Sequence, residues 1–101
     1  MSRPPPALWM RLCTFRADGP GPGNAPPADE FTARLWEQVT DDDRIQHIRV
    51  RSGAYLDAAW LDIGLLLMAD SDDTAYAVGA RICRAAIAVD PIAFGWTLHS
   101  L

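Results

Sequence analysis

The chain has 101 residues and a mass of 11.1 kDa, room for one domain but not for two catalytic ones. Half of the residues are hydrophobic and 22% are charged, which excludes wholesale disorder and allows a core without disulfides or a structural metal. Nine basic residues against thirteen acidic ones leave a net charge of −4, and that sign disfavours binding driven by phosphate backbones or anionic lipid.

Residues 1–6, ending in Pro4-Pro5-Pro6, are too rich in proline to pair or coil and are expected to form an extended arm ahead of a single domain over residues 7–101. The bulky run from Leu8 to Phe15 predicts a central strand, with Leu8, Met10 and Leu12 on one face and Trp9, Arg11, Cys13 and Phe15 on the other. Glycine then alternates with proline from Gly19 to Gly23, a loop with too few N–H donors to cradle a phosphate. Pro26-Pro27 opens a helix. Asp29 and Glu30 lie in its first turn, where the dipole favours negative charge, and Phe31, Leu35 and Val39 form its core-facing stripe, with Trp36 beside them.

Asp41-Asp42-Asp43 opposes the helix dipole and reads as a solvated turn rather than a calcium site, because adjacent side chains diverge. From Arg44 to Ser52 a half-buried strand alternates Gln46, Ile48 and Val50 with His47, Arg49 and Arg51. A turn at Ser52-Gly53-Ala54-Tyr55 precedes a segment, Ala58 to Ala69, that fits either a strand or a helical stripe; Gly64 and the flanking turn favour a strand. Ser71 with Asp72 and Asp73 marks a helix start, and a second helix is expected from about Asp72 to Val89, closed by Asp90-Pro91. Asp70 and Asp72 imitate the start of a calcium loop, but Ala75 and Arg81 stand where its glycine and glutamate are needed. Phe94 to Leu101 closes the chain as a strand, with Phe94, Trp96 and Leu98 on one face.

The order strand, helix, strand, strand, helix, strand resembles the ferredoxin-like split βαβ arrangement over residues 7–101. The resemblance implies an α+β sandwich, a four-stranded antiparallel sheet with both helices on one face and the first and third strands central. The more aliphatic side of each strand is expected to face the helices, which leaves Trp9, Arg11, Cys13, Phe15, His47, Arg49, Arg51, Trp60, Asp62, Leu66, Met68, Thr97 and His99 on the open face. A face so apolar is expected to be an interaction surface.

The leading expectation is a non-catalytic module that forms a homodimer or docks a partner protein, with Trp9, Phe15, Trp60, Leu66 and Met68 as its dry centre and Arg49 and Arg51 as its rim. The alternative follows from a resemblance of the element order to dimeric α/β-barrel proteins, some of which are cofactor-independent oxygenases, isomerases or cyclases. It implies a small aromatic ligand walled by Trp9 and Trp60, His47 or His99 as acid/base group, and Arg49 or Arg51 holding an anionic oxygen. Nucleic acid is disfavoured: Trp9 and Trp60 match the base-stacking aromatics of RNA-recognition modules, but their Gly-Phe/Tyr core is absent.

All nine basic residues are arginine, a bias that points to a GC-rich genome and removes Schiff-base, pyridoxal-phosphate and P-loop chemistry, each of which needs a lysine. No metal-ligand spacing and no cofactor motif is present. Cys13 and Cys83, 70 positions apart, read as buried hydrophobes of a reducing compartment. The first residues lack the apolar core of a signal peptide, and no apolar run approaches the ~18 residues of a membrane span, so a cytoplasmic location is expected.

Overall fold

A computed structural model describes residues 7–54 and 58–101. The proline-rich arm expected over residues 1–6, and the part of the expected turn that includes Tyr55, lie outside the described residues. The chain forms β1 (Trp9–Asp18), α1 (Ala28–Glu37), a 3-10 turn at Asp41–Asp43, β2 (Ile45–Ala54), β3 (Ala59–Ala69), α2 (Asp72–Val89) and β4 (Thr97–Ser100). Four antiparallel strands make one sheet in the order β2-β3-β1-β4, so that β1 and β3 are central. This α+β arrangement is consistent with a ferredoxin-like class.

The segment that fits both periodicities is a strand. Along β3, Ala59, Leu61, Ile63, Leu65, Leu67 and Ala69 are all buried while the residues between them are half-exposed. That alternation has a period of two, and it sets the two faces of the whole sheet through its pairing with β1 and β2. On the buried side Phe15 lies opposite Ile63, Ala17 opposite Leu61, and Ile48 opposite Leu65. Phe31 and Leu35 of α1, and Ala75, Ile82, Cys83 and Ala86 of α2, complete a single buried cluster with these strand residues.

Side-chain hydrogen bonds hold the elements to one another. Ser71 Oγ accepts the Thr74 N–H at 3.0 Å and caps α2. Arg11 fastens the same turn to β1: its Nε donates to the Ala69 carbonyl at 3.1 Å and its Nη1 to Asp72 at 2.8 Å. At the far end of α2 the buried Asp90 accepts the N–H groups of Ile92 and Ala93, both at 2.8 Å, and the Nε of Arg34 from α1 at 2.9 Å. Arg44 follows the 3-10 turn in the left-handed region, at φ 55°, and its carbonyl accepts the Met68 N–H as the chain enters β2.

Four expectations are corrected. Ser52, Gly53 and Ala54, expected in a turn, are the end of β2, and Asp43, expected in a solvated turn, is buried. In β1 the faces are inverted: Met10 and Leu12 lie on the helix-free side, 53% and 67% exposed, while Phe15 is fully buried beneath α2. Trp9, Arg11 and Cys13 share the side of Phe15, so none of the four belongs to the open face. The cause is that both sides of β1 carry large apolar residues, so aliphatic content does not rank them. The last strand is also shorter than expected. Gly95, at φ 81°, makes a turn that delays pairing until Thr97 and leaves Phe94 72% exposed.

Candidate functional site

The helix-free side of the sheet combines three zones, each set by cross-strand pairing. At one end Trp60 lies opposite Gly53 and Asp18. Because Gly53 lacks a side chain, the indole settles over its backbone, where an added Cβ would stand 2.5 Å from the ring. The Arg16 guanidinium covers the Trp60 ring, 5.0 Å from its centroid, and grips Asp62 with two hydrogen bonds of 2.8 and 3.0 Å. This hydrogen-bonded arginine holds the Asp62 carboxyl below its ordinary pKa, against the opposing effect of desolvation. At the adjoining edge His99 Nε2 stands 3.3 Å from the Asp18 carboxylate.

In the middle Gly64 interrupts the row of side chains between Asp62 and Leu66. A Cβ placed there would find nothing nearer than the Leu12 Cδ1 at 3.9 Å, so the backbone forms an open floor. The depression above it holds about 540 Å³ and is bounded by Leu12, Leu66 and Leu101, with His47, Arg49 and Arg51 along the β2 side. Neither Arg49 nor Arg51 makes a side-chain hydrogen bond or a contact ion pair among the described residues, although Arg51 is near enough to Asp62 to help lower its pKa. At the far end Met10 lies opposite Met68 and Leu12 opposite Leu66, an apolar strip continued by the exposed Leu101 beside Leu12.

Of the residues expected on this face, His47, Arg49, Arg51, Trp60, Asp62, Leu66, Met68 and His99 are on it. Trp9, Arg11 and Phe15 are not: Arg11 serves the start of α2 and Phe15 the core. Reasoning from alternation missed Met10, Leu12, Thr14, Arg16, Gly64 and Leu101. The signal for most of them was the cross-strand register, because Arg16 and Leu12 follow once Phe15 is placed inward.

The two histidines of this face are set apart from one another. His47 and His99 stand on opposite edge strands, about 14 Å apart across the sheet and offset along it as well, so they cannot share one proton. Burial pushes the Cys13 thiol up to about 11 and the Cys83 thiol up to about 12, the reverse of what a nucleophilic cysteine needs. Among the described residues no three His, Cys, Asp or Glu side chains gather to hold a metal ion, and no helix is long and apolar enough to cross a membrane. In comparisons with known proteins, no family model, curated protein or solved structure matches the chain.

Proposed function

We propose that this is a ferredoxin-like βαββαβ unit whose helix-free sheet face is a homodimerisation surface, acting as a non-catalytic interaction module. The observation that carries the reading is the apolar strip formed by the opposed pairs Met10–Met68 and Leu12–Leu66, with Met10 and Leu12 more than half exposed. In water such a strip forfeits the transfer free energy of its methyl and methylene groups, roughly 25 cal/mol for each Å² left uncovered. A second copy offers an occupant of matching size and character. Three strands of ten or eleven residues about 4.8 Å apart, with the four-residue β4 beside them, present about 550 Å² on each copy, about two thirds of the ~800 Å² per partner of a standard interface.

The polar groups support this arrangement. Arg16 and Asp62 satisfy each other beside the strip, so their burial leaves no unpaired charge between them, while Arg49 and Arg51 stand at the β2 edge as a solvated rim. The two free cysteines fit a reducing, cytoplasmic setting.

Size-exclusion chromatography with light scattering at tens of micromolar tests the proposal. The dimer mass is expected for the natural chain and the monomer mass for Leu12→Arg, with far-UV circular dichroism unchanged. A monomer mass for the natural chain, or a Leu12→Arg variant that stays dimeric, overturns it.

A further inference from the structure

The hollow over Gly64 has features that dimerisation does not use. Its floor is bare backbone in the middle of a strand, an arrangement that lets a ligand approach the sheet at van der Waals distance. Its walls are the aliphatic side chains of Leu12 and Leu66. Along its β2 side stand Arg49 and Arg51, two guanidinium groups without a contact carboxylate among the described residues, in a chain whose net charge is −4. Asp62, opposite Arg51 across the strands, has both oxygens engaged by Arg16. About 540 Å³ is within the range of pockets that hold small organic ligands.

We propose that this hollow binds a planar aromatic carboxylate, its ring flat on the Gly64 backbone against the opposed pair Leu12 and Leu66 and its carboxylate paired with Arg49 and Arg51. Each part of that ligand is required by the site. The carboxylate answers two cations that lack a contact carboxylate among the described residues, and guanidinium groups match carboxylate geometry with paired hydrogen bonds. An apolar body suits the Gly64 floor and the Leu12, Leu66 and Leu101 walls; Thr14, opposite Gly64 on β1, and His47, on β2, are the further side-chain donors at its sides. Planarity follows from Gly64: a single missing side chain between Asp62 and Leu66 leaves a broad, shallow recess that a ring covers edge to edge. A small inorganic anion would leave most of that volume empty. The site is complete within one copy, so it does not depend on dimerisation; a dimer would enclose the ligand between two sheets.

The test is an amide NMR titration of the full chain with 2-naphthoate, using 2-naphthamide, the same ring without the charge, as the comparison. Saturable shifts centred on Gly64, Leu66 and Arg49 are expected, with the amide at least about tenfold weaker. Arg49→Gln with Arg51→Gln should weaken naphthoate by about tenfold or more and leave the amide unchanged, because both arginines are exposed and their loss spares the fold. Gly64→Leu should abolish binding of both compounds by filling the floor. Equal affinity for acid and amide, shifts away from this face, a double variant that binds naphthoate normally, or no saturation at millimolar acid each overturns the proposal. Light scattering on the same samples reports the oligomeric state separately, so failure of the dimer reading and failure of the ligand site are distinguishable.

Discussion

Gly79 of α2 and Phe15 of β1 meet so closely that a Cβ added to Gly79 would stand 2.8 Å from the edge of the Phe15 ring, and 2.7 Å from the Cys13 sulfur. The helix crosses the strand at its one residue without a side chain, and the ring fills the space so provided. Gly79→Ala therefore sets two effects against each other. Alanine stabilises a helix interior by about 1 kcal/mol relative to glycine, whereas overpacking a filled core costs about 1–3 kcal/mol. Because Phe15 is fully buried and cannot swing aside, the clash should prevail. Urea melts are expected to show a net loss of about 1–2 kcal/mol, and a larger one for Gly79→Val. A gain in stability would mean that α2 can ride outward on the sheet.

The same contact explains what could and could not be read along the chain. In β3 periodicity fitted both a strand and a helix, and Gly64 with the flanking turn decided for the strand, in which Leu61, Ile63, Leu65 and Leu67 face one way while Asp62 and Gly64 face the other. The start of α2 was equally legible, since Ser71 followed by two aspartates is a local capping signal. In β1 both faces carry bulky apolar groups, and what selects Phe15 over Leu12 is the glycine 64 positions later that gives the ring room. Local periodicity holds no such long-range information. Phe15→Ala should therefore cost about 3–5 kcal/mol, as a large ring removed from a core does. Leu12→Ala, at a position 67% exposed, should change monomer stability by no more than about 0.5 kcal/mol. Chemical denaturation at a concentration low enough to keep the chain monomeric would compare the two, and equal losses would contradict the observed register.

Trp60 lies on the open face as alternation predicted, yet its indole rests on Gly53 and is roofed by Arg16 instead of standing ready for a partner. Substituting it removes a stack within one copy. Trp60→Ala is expected to lower stability by about 1–3 kcal/mol, the partly exposed cation–π contact and the lost packing together. Melts at two protein concentrations separate this from loss of an interface anchor, since an interface residue acts through concentration-dependent stability. The loss should be the same at both. A loss that grows with concentration would return Trp60 to the interface.

Acid should weaken the junction of α1, the 3-10 turn and α2 through Asp43. Burial of this carboxylate favours its neutral form, but the hydrogen bonds it accepts from Arg81 and from the Thr40 N–H outweigh that effect and hold its pKa below the ordinary 3.8. A carboxyl with a lower pKa folded than unfolded adds stability that is fully present above the unfolded value and is lost as pH falls through the folded one. Asp43→Asn can keep an oxygen for Thr40 but turns an amide NH2 toward Arg81, so it removes the charge and the acceptor of that hydrogen bond. It should cost about 1 kcal/mol at pH 7, kept small because half of the Arg81 side chain is open to solvent. Urea melts of the natural chain and the variant from pH 7 to pH 2 should then converge, the difference shrinking below about pH 4 as Asp43 is protonated. Asp62, whose pKa is also lowered, is present in both chains and cancels from the comparison. A difference that persists undiminished at pH 2 would show that the asparagine disturbs the turn itself and that the charge on Asp43 contributes nothing.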